Sequence, residues 1–151
     1  MIEDKTKFFF DSVASNYSKR YQLKDKRSIF FNNRLKFSLN KEDFYKKSVL
    51  DIGAGSGIIY HKLKDVLIKY TGCDISEKIM KDGGIPRKFY RVIQNNLEDL
   101  LEGEKYDYIF ILGVSTYLSK KEFENYIKQV ERCSKEGTKV IISYTLNNYI
   151  H

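Results

Sequence analysis

The residues best placed to do chemistry are Asp51-Ile52-Gly53-Ala54-Gly55-Ser56-Gly57, entered from the apolar run Ser48-Val49-Leu50. A strand that feeds a glycine-rich turn and then a helix sets backbone N–H groups and a positive helix end beside a bound ligand. Glycine lets the main chain approach that ligand with no Cβ in the way. A dinucleotide loop of the form G-x-G-x-x-G would need glycine at position 58, where Ile58 stands. The pattern is instead D-x-G-x-G-x-G, with an acid two residues ahead of the first glycine. Asp51 would repel a pyrophosphate and attract a cation. A cofactor carrying an ammonium or sulfonium group fits this loop better than one carrying two phosphates.

Such a loop needs elements to hold it, and the sequence supplies them from Ser48 onward. Ser48–Ile52 is a short apolar run that reads as a buried strand. Ile59, Leu63, Val66 and Leu67 then recur at helical spacing. Tyr70–Ile75 predicts a second strand, Ser76–Lys81 a short helix, and Asp82-Gly83-Gly84-Ile85-Pro86 a break. Phe89–Ile93 and Tyr106–Leu112 predict the third and fourth strands, with apolar patterning suited to burial on both faces. Ser119 and Glu122 form a capping box ahead of an apolar face of Phe123, Tyr126, Ile127, Val130 and Cys133, with Gly137 as the expected stop. Thr138–Tyr144 predicts the fifth strand. Strands alternating with helices mean an α/β fold with a mainly parallel sheet and helices on both faces. Residues 1–47 differ from this body: they are basic and aromatic, with helices expected around Lys5–Arg20 and Asp25–Leu39.

Taken in order, these motifs resemble the class I S-adenosylmethionine-dependent methyltransferases of small-molecule type, over roughly residues 8–145. Asp51–Gly57 resembles that family's first motif, whose loop wraps the methionine end of the cofactor; the resemblance places Asp51, Gly53, Ala54 and Gly55 there. Asp74 stands where the family has an acid that accepts from both ribose hydroxyls, with Ile75 beside it, and two carboxylate oxygens suit two hydroxyls. Asn95-Asn96-Leu97-Glu98-Asp99-Leu100 resembles the stretch after the third strand. Asn96 takes the place of an aspartate that binds the adenine amino group, and Leu97 would offer its backbone N–H to the ring. Tyr106–Leu118 resembles the fourth strand and its exit, which adds Leu112 to the cofactor set and puts Thr116 where the family often has a His. Phe10–Tyr17 resembles the entry helix of quinone-type and related enzymes, in which Tyr17 helps close a lid over the cofactor.

The resemblance implies a Rossmann-like, doubly wound sheet of about five strands in the order 3-2-1-4-5, with an N-terminal helical lid. It implies S-adenosylmethionine as cofactor, S-adenosylhomocysteine as product, and in-line methyl transfer to a small molecule. In such a displacement the protein aligns nucleophile, methyl and sulfur, and burial excludes water. A base is needed only when the acceptor is a hydroxyl or a carbon acid. Ser115, Tyr117 and Tyr17 fall near the expected position without a base's chemistry, so no catalytic residue is assigned.

Composition bounds the rest. The chain has 151 residues, 42% hydrophobic and 15% aromatic, which is enough to bury one domain's core and excludes a disordered class. The formal net charge is +7. Residues 1–47 hold twelve Lys/Arg against six Asp/Glu, while residues 48–151 hold fifteen against fourteen. The domain is therefore expected to comprise a basic helical lid over 1–47 and a nearly neutral core over 48–151. Such a lid favours an acceptor of anionic character. After the fourth strand, Leu112-Gly113-Val114-Ser115-Thr116 lacks the proline or cysteine of base-modifying relatives, which argues against DNA. An RNA or protein acceptor ranks below a small molecule.

Cys73 and Cys133 suit reduced thiols in the cytoplasm, and His61 and His151 share no ligand spacing, so no metal is expected. His61 reads as a solvated helix residue. Met1–Lys5 opens with mixed charges and no apolar run follows, so neither a secretory signal nor a membrane span is expected. The resembled family continues its sheet by two strands beyond the fifth. An exposed fifth strand with a Val140-Ile141-Ile142 centre predicts a homodimer or a partner chain on that edge. The alternative function is a non-catalytic cofactor-binding module completed by a partner chain.

Overall fold

Val49, Leu50 and Ile52 carry apolar side chains to both faces of one short strand, and the structure makes that strand the centre of a sheet. The computed structural model describes residues 2–21, 29, 33, 35, 39–94, 97 and 101–143. Strand β1 (Ser48–Ile52) is buried along its whole length. It lies between β2 (Lys69–Asp74) and β4 (Tyr106–Leu112), with β3 (Tyr90–Val92) and β5 (Ser134–Ser143) outside them. The order is β3-β2-β1-β4-β5 and every pair is parallel, as expected of a doubly wound sheet.

Period-two alternation splits the core into two layers. Val49, Tyr70, Tyr108 and Phe110 face Phe44, Ile59, Leu63 and Ile79 on one side. Leu50, Ile52, Cys73, Ile109 and Ile111 face Val130 and Cys133 on the other. The covering helices include α1 (Ile2–Tyr17), α2 (Ile58–Leu63), α3 (Glu77–Asp82) and α4 (Lys120–Cys133). Helix α4 begins at the expected capping box: the Ser119 N–H donates to Glu122 Oε2 at 2.6 Å, and the Glu122 N–H to Ser119 Oγ at 3.3 Å.

Several boundaries depart from the sequence reading, those of the first helix and of β2 by one to three residues. Helix α4 stops at Cys133 rather than Gly137, and β5 starts at once. Gly137, at φ 80°, turns the chain inside a bulge of that strand: Tyr106 pairs with Ser134, yet Tyr108 pairs with Lys139. Thr138 Oγ1 fastens the bulge, accepting from the Lys135 N–H at 2.8 Å and donating to the Tyr106 carbonyl at 2.7 Å. The third strand is shorter than expected because Arg87–Phe89 forms a 3-10 turn. Of the helix expected over Asp25–Leu39, most lies outside the described residues; Leu35 is buried in the first core layer. Tyr144, the expected end of the fifth strand, also lies outside them.

At the end of the sheet away from the glycine loop, two carboxylates tie strands together. Glu104 accepts from Lys69 at 2.9 Å, Arg91 at 2.5 Å and the Tyr106 hydroxyl. Asp107 accepts from the Ser48 N–H at 2.8 Å and pairs with Lys135 at 2.8 Å. Among the described residues no helix is long and apolar enough to cross a membrane, and no group of His, Cys, Asp and Glu is placed to hold a metal. Cys73 and Cys133 are free and buried.

Candidate functional site

The glycine loop leaves β1 with three residues in the left-handed region: Gly53 at φ 78°, Gly55 at 51° and Gly57 at 75°. The sequence reading expected its N–H groups to face a ligand, but those of Gly53, Ala54, Gly55 and Gly57 are bonded within the protein. Those of Gly53 and Ala54 donate to the Cys73 carbonyl at 2.7 and 3.0 Å. The Gly55 N–H donates to Asp74 Oδ2 at 2.9 Å and the Gly57 N–H to the Ala54 carbonyl at 2.9 Å. The loop is thus tied down on β2. Across a trans peptide the carbonyl of one residue opposes the N–H of the next. With the Ala54 N–H aimed at β2, the Gly53 carbonyl points away from it, as an acceptor for a cationic group.

Two side chains roof this loop. A Cβ on Gly53 would meet Val114 Cγ2 at 2.2 Å, so only glycine fits beneath the exit of β4. A Cβ on Gly55 would meet the Tyr17 ring at 3.3 Å, which brings the last residue of α1 onto the loop. Phe10 packs edge-on against Tyr17 and Tyr117, with centroids 5.9 and 5.2 Å away, and so links α1 to the β4 exit.

Asp74 is the polar centre of the arrangement. Its Oδ1 accepts from the Ser76 N–H at 3.0 Å and its Oδ2 from the Gly55 N–H at 2.9 Å. Each carboxylate oxygen can accept again, so the group is held rigidly and keeps capacity for two further donors. Burial raises its pKa against the pull of the backbone N–H groups of Ser76, Gly55 and Ile75. Ser76 also caps α3, accepting from the Ile79 N–H at 3.1 Å and donating to Asp11 Oδ1 at 2.5 Å. One chain of bonds therefore runs from α1 through Asp11 and Ser76 to Asp74 and the glycine loop.

Asp51 occupies a different setting. It is 3% exposed and pairs in register with Gly72. Gly72 leaves open the space where a Cβ would lie 3.1 Å from the Tyr70 hydroxyl. That hydroxyl crosses to donate to Asp51 Oδ2 at 2.8 Å. Burial pushes the Asp51 carboxyl up to about 7 despite this bond. The same burial, with Asp51 beside it, raises Tyr70. Asp51 thus lies within the sheet rather than on the open wall that would meet a cation directly.

The remaining expected positions divide. Ile75 packs on the second core layer at the end of β2, and Leu97 is buried in that layer. Leu112 ends β4 and packs, half-buried, on the first layer. Asn96 lies outside the described residues. At the β4 exit, Ser115 Oγ donates to the Ser143 carbonyl at 3.3 Å and Thr116 Oγ1 to the Gly113 carbonyl at 3.3 Å. His61 is exposed on α2, as the sequence reading expected, but its Nε2 lies 2.7 Å from the Gly83 carbonyl, a contact that ties α2 to the end of α3.

Sequence reasoning missed Val114, Tyr70, Asp11 and the bond from Ser76 to Asp74. Ser76 was legible as an N-cap, and Gly72 two positions after Tyr70 was the signal for a ring crossing the strand. Val114 and Asp11 reach the site only through tertiary packing.

A family described as methyltransferase domain matches residues 50–140. Among solved structures, the chain superposes on DhpI in its complex with SAH at a TM-score of 0.72 and 16% identity, covering 93% of this chain and 68% of that one. Against the DhpI-SAM-HEP complex it covers 64% of that chain. The magnesium protoporphyrin IX methyltransferase of Synechocystis PCC 6803, with bound SAM, superposes at a TM-score of 0.64 and 18% identity, over 89% of this chain and 73% of that one. The phosphoethanolamine N-methyltransferase 1 of Haemonchus contortus, with phosphoethanolamine and S-adenosylhomocysteine, gives 0.62 and 18% over 89% of this chain and 30% of that one. At these identities the likeness is one of fold. The chain spans about two thirds of DhpI and under a third of the Haemonchus protein. No curated protein matches it in sequence.

Proposed function

The chain belongs to the methyltransferase-domain family, and from that membership we propose that it transfers a methyl group from S-adenosylmethionine to a small-molecule acceptor. The observation that carries the reading is Asp74. Its carboxylate is fixed at the end of β2 by Gly55 and Ser76, with one acceptor direction left on each oxygen. That is the arrangement a ribose diol requires. The Gly53 carbonyl takes the amino group of the methionine end, while Ile75, Leu97 and Leu112 border the remainder and Asn96 accepts from the adenine amino group. Tyr17, Val114 and Phe10 close the loop against water. Asp51 acts from beneath, holding β1 against β2 through Tyr70.

When bound, the cofactor supplies a methyl carbon already activated for displacement by its sulfonium. The protein's own contribution is alignment and exclusion of water. The names of the similar structures support a small acceptor, since phosphoethanolamine and magnesium protoporphyrin IX are both small molecules. The test is calorimetric titration of the full chain with S-adenosylmethionine, S-adenosylhomocysteine and NADH. The first two are expected to bind at one site and NADH not to bind. Binding of NADH without S-adenosylhomocysteine would overturn the reading.

A further inference from the structure

Helices α1 and α3 bound an open cavity of about 760 Å³, lined by Lys7, Asp11, Glu77, Lys78, Lys81, Ile85, Arg87 and Tyr90. Its walls are pinned to one another. Asp11 on α1 accepts from Ser76 at the head of α3, and Glu77 on α3 accepts from the Tyr90 hydroxyl at 3.2 Å. The two acids are used within the groove. Asp11 also pairs with Lys7 at 2.9 Å, and Glu77 lies 3.6 Å from Arg87 Nε. Arg87 is held in place as well, donating to the Tyr90 carbonyl at 3.0 Å with its guanidinium 5.0 Å from the Tyr90 ring centroid.

What remains is positive. Four cationic side chains stand against two carboxylates, a net of +2. Among the described residues neither Lys78 nor Lys81 forms an ion pair, although Lys78 acts on the Asp11 carboxylate from a longer range. They are three positions apart on α3 and so share a face. A monoanionic carboxylate would answer one of these ammonium groups; a phosphate monoester, with a charge of about −2 at neutral pH, answers both. Ile85 and Tyr90, 3% and 4% exposed, line the base of the groove, and with Arg87 over the Tyr90 ring they leave a narrow apolar edge for the organic part of such an ester.

We propose that the groove between α1 and α3 is a binding site for a small phosphate monoester. The site is separate from the cofactor loop and joined to it through Ser76, whose hydroxyl donates to Asp11 and whose N–H donates to Asp74. The proposal does not depend on methyl transfer.

The experiment titrates the full chain, at low salt, with phenyl phosphate, inorganic phosphate and a single-stranded RNA oligonucleotide. Phenyl phosphate is expected to bind saturably and several-fold more tightly than inorganic phosphate. Lys78→Gln with Lys81→Gln is expected to weaken it at least ten-fold. Lys120→Gln with Lys121→Gln, the same charge change on α4, should leave it within two-fold. In both variants the affinity for S-adenosylhomocysteine should stay as in the parent chain. Equal affinity for ester and free phosphate would overturn the ester assignment. Equal weakening by the two lysine pairs, no saturable binding, or RNA binding lost with Lys78 and Lys81 while phenyl phosphate fails to bind would each overturn the site.

Discussion

Asp51 titrates because of where it is buried, and that has a measurable consequence. Its ordinary value is 3.8 and its folded value about 7. Between about pH 4 and pH 7 the folded chain therefore keeps a proton that the unfolded chain has released. The contribution of this residue to stability falls as pH rises through that window and levels off above it. Asp51→Asn keeps an acceptor for Tyr70 and removes the titration. Urea unfolding at pH 5 and pH 7 should show the variant gaining about 2 kcal/mol on its parent over that interval, at about 1.4 kcal/mol per pH unit; parallel curves would contradict the assignment. Gly53 carries the second residue-scale prediction. Gly53→Ala must adopt φ 78° and meet Val114 Cγ2, so it should cost about 3 kcal/mol in thermal or urea unfolding. Adding Val114→Ala should return the steric part and leave about 1 kcal/mol of backbone strain. The glycine spacing and Asp74 were legible because each is local in the sequence. The contacts of Val114 with Gly53 and of Asp11 with Ser76 were not, because they join residues far apart in the chain.

The strands differ in how openly the sequence shows them. β1 and β4 stand at their expected bounds because short, mainly apolar runs, each broken by a single aspartate, are buried on both faces of the sheet. Helix α4 announces its start through Ser119 and Glu122, but its end was misplaced, since Gly137 serves a bulge in β5 rather than a helix stop. A glycine alone does not tell one left-handed turn from another. The brace at the far end of the sheet was equally invisible, being built from Lys69, Arg91, Glu104 and Tyr106 on separate segments. Although burial works against it, the Tyr106 hydroxyl, Lys69 and Arg91 hold Glu104 down to about 2, against an ordinary 4.5. Its stabilising contribution is full above about pH 4.5 and is lost as pH falls toward 2. Glu104→Gln should lower stability by about 2 kcal/mol at pH 7 and flatten the acid limb of the unfolding profile between pH 4.5 and 2. An acid limb as steep as the parent's would show that other carboxylates govern it.

Across the whole molecule the charge and the chemistry are arranged separately. The net charge of +7 belongs mainly to the first 47 residues, of which α1 lies against α3 and the glycine loop. The sheet behind is nearly neutral and carries the site at the ends of β1 and β2. The strand order was readable only through the family resemblance, because periodicity gives strands but not their neighbours. The way α1 seats on the core, through Asp11, Phe10 and Tyr17, required the structure. The central claim is that Asp74, clamped between Gly55 and Ser76, is the anchor of the cofactor. Calorimetric titration of S-adenosylhomocysteine into the parent chain, Asp74→Ala and the exposed control Asp82→Ala tests it most directly, with thermal melting confirming that each variant is folded. Loss of charge-assisted hydrogen bonds worth about 2–3 kcal/mol predicts affinity weakened at least about 30-fold in Asp74→Ala and unchanged in Asp82→Ala. A folded Asp74→Ala that binds S-adenosylhomocysteine as the parent chain does would contradict it.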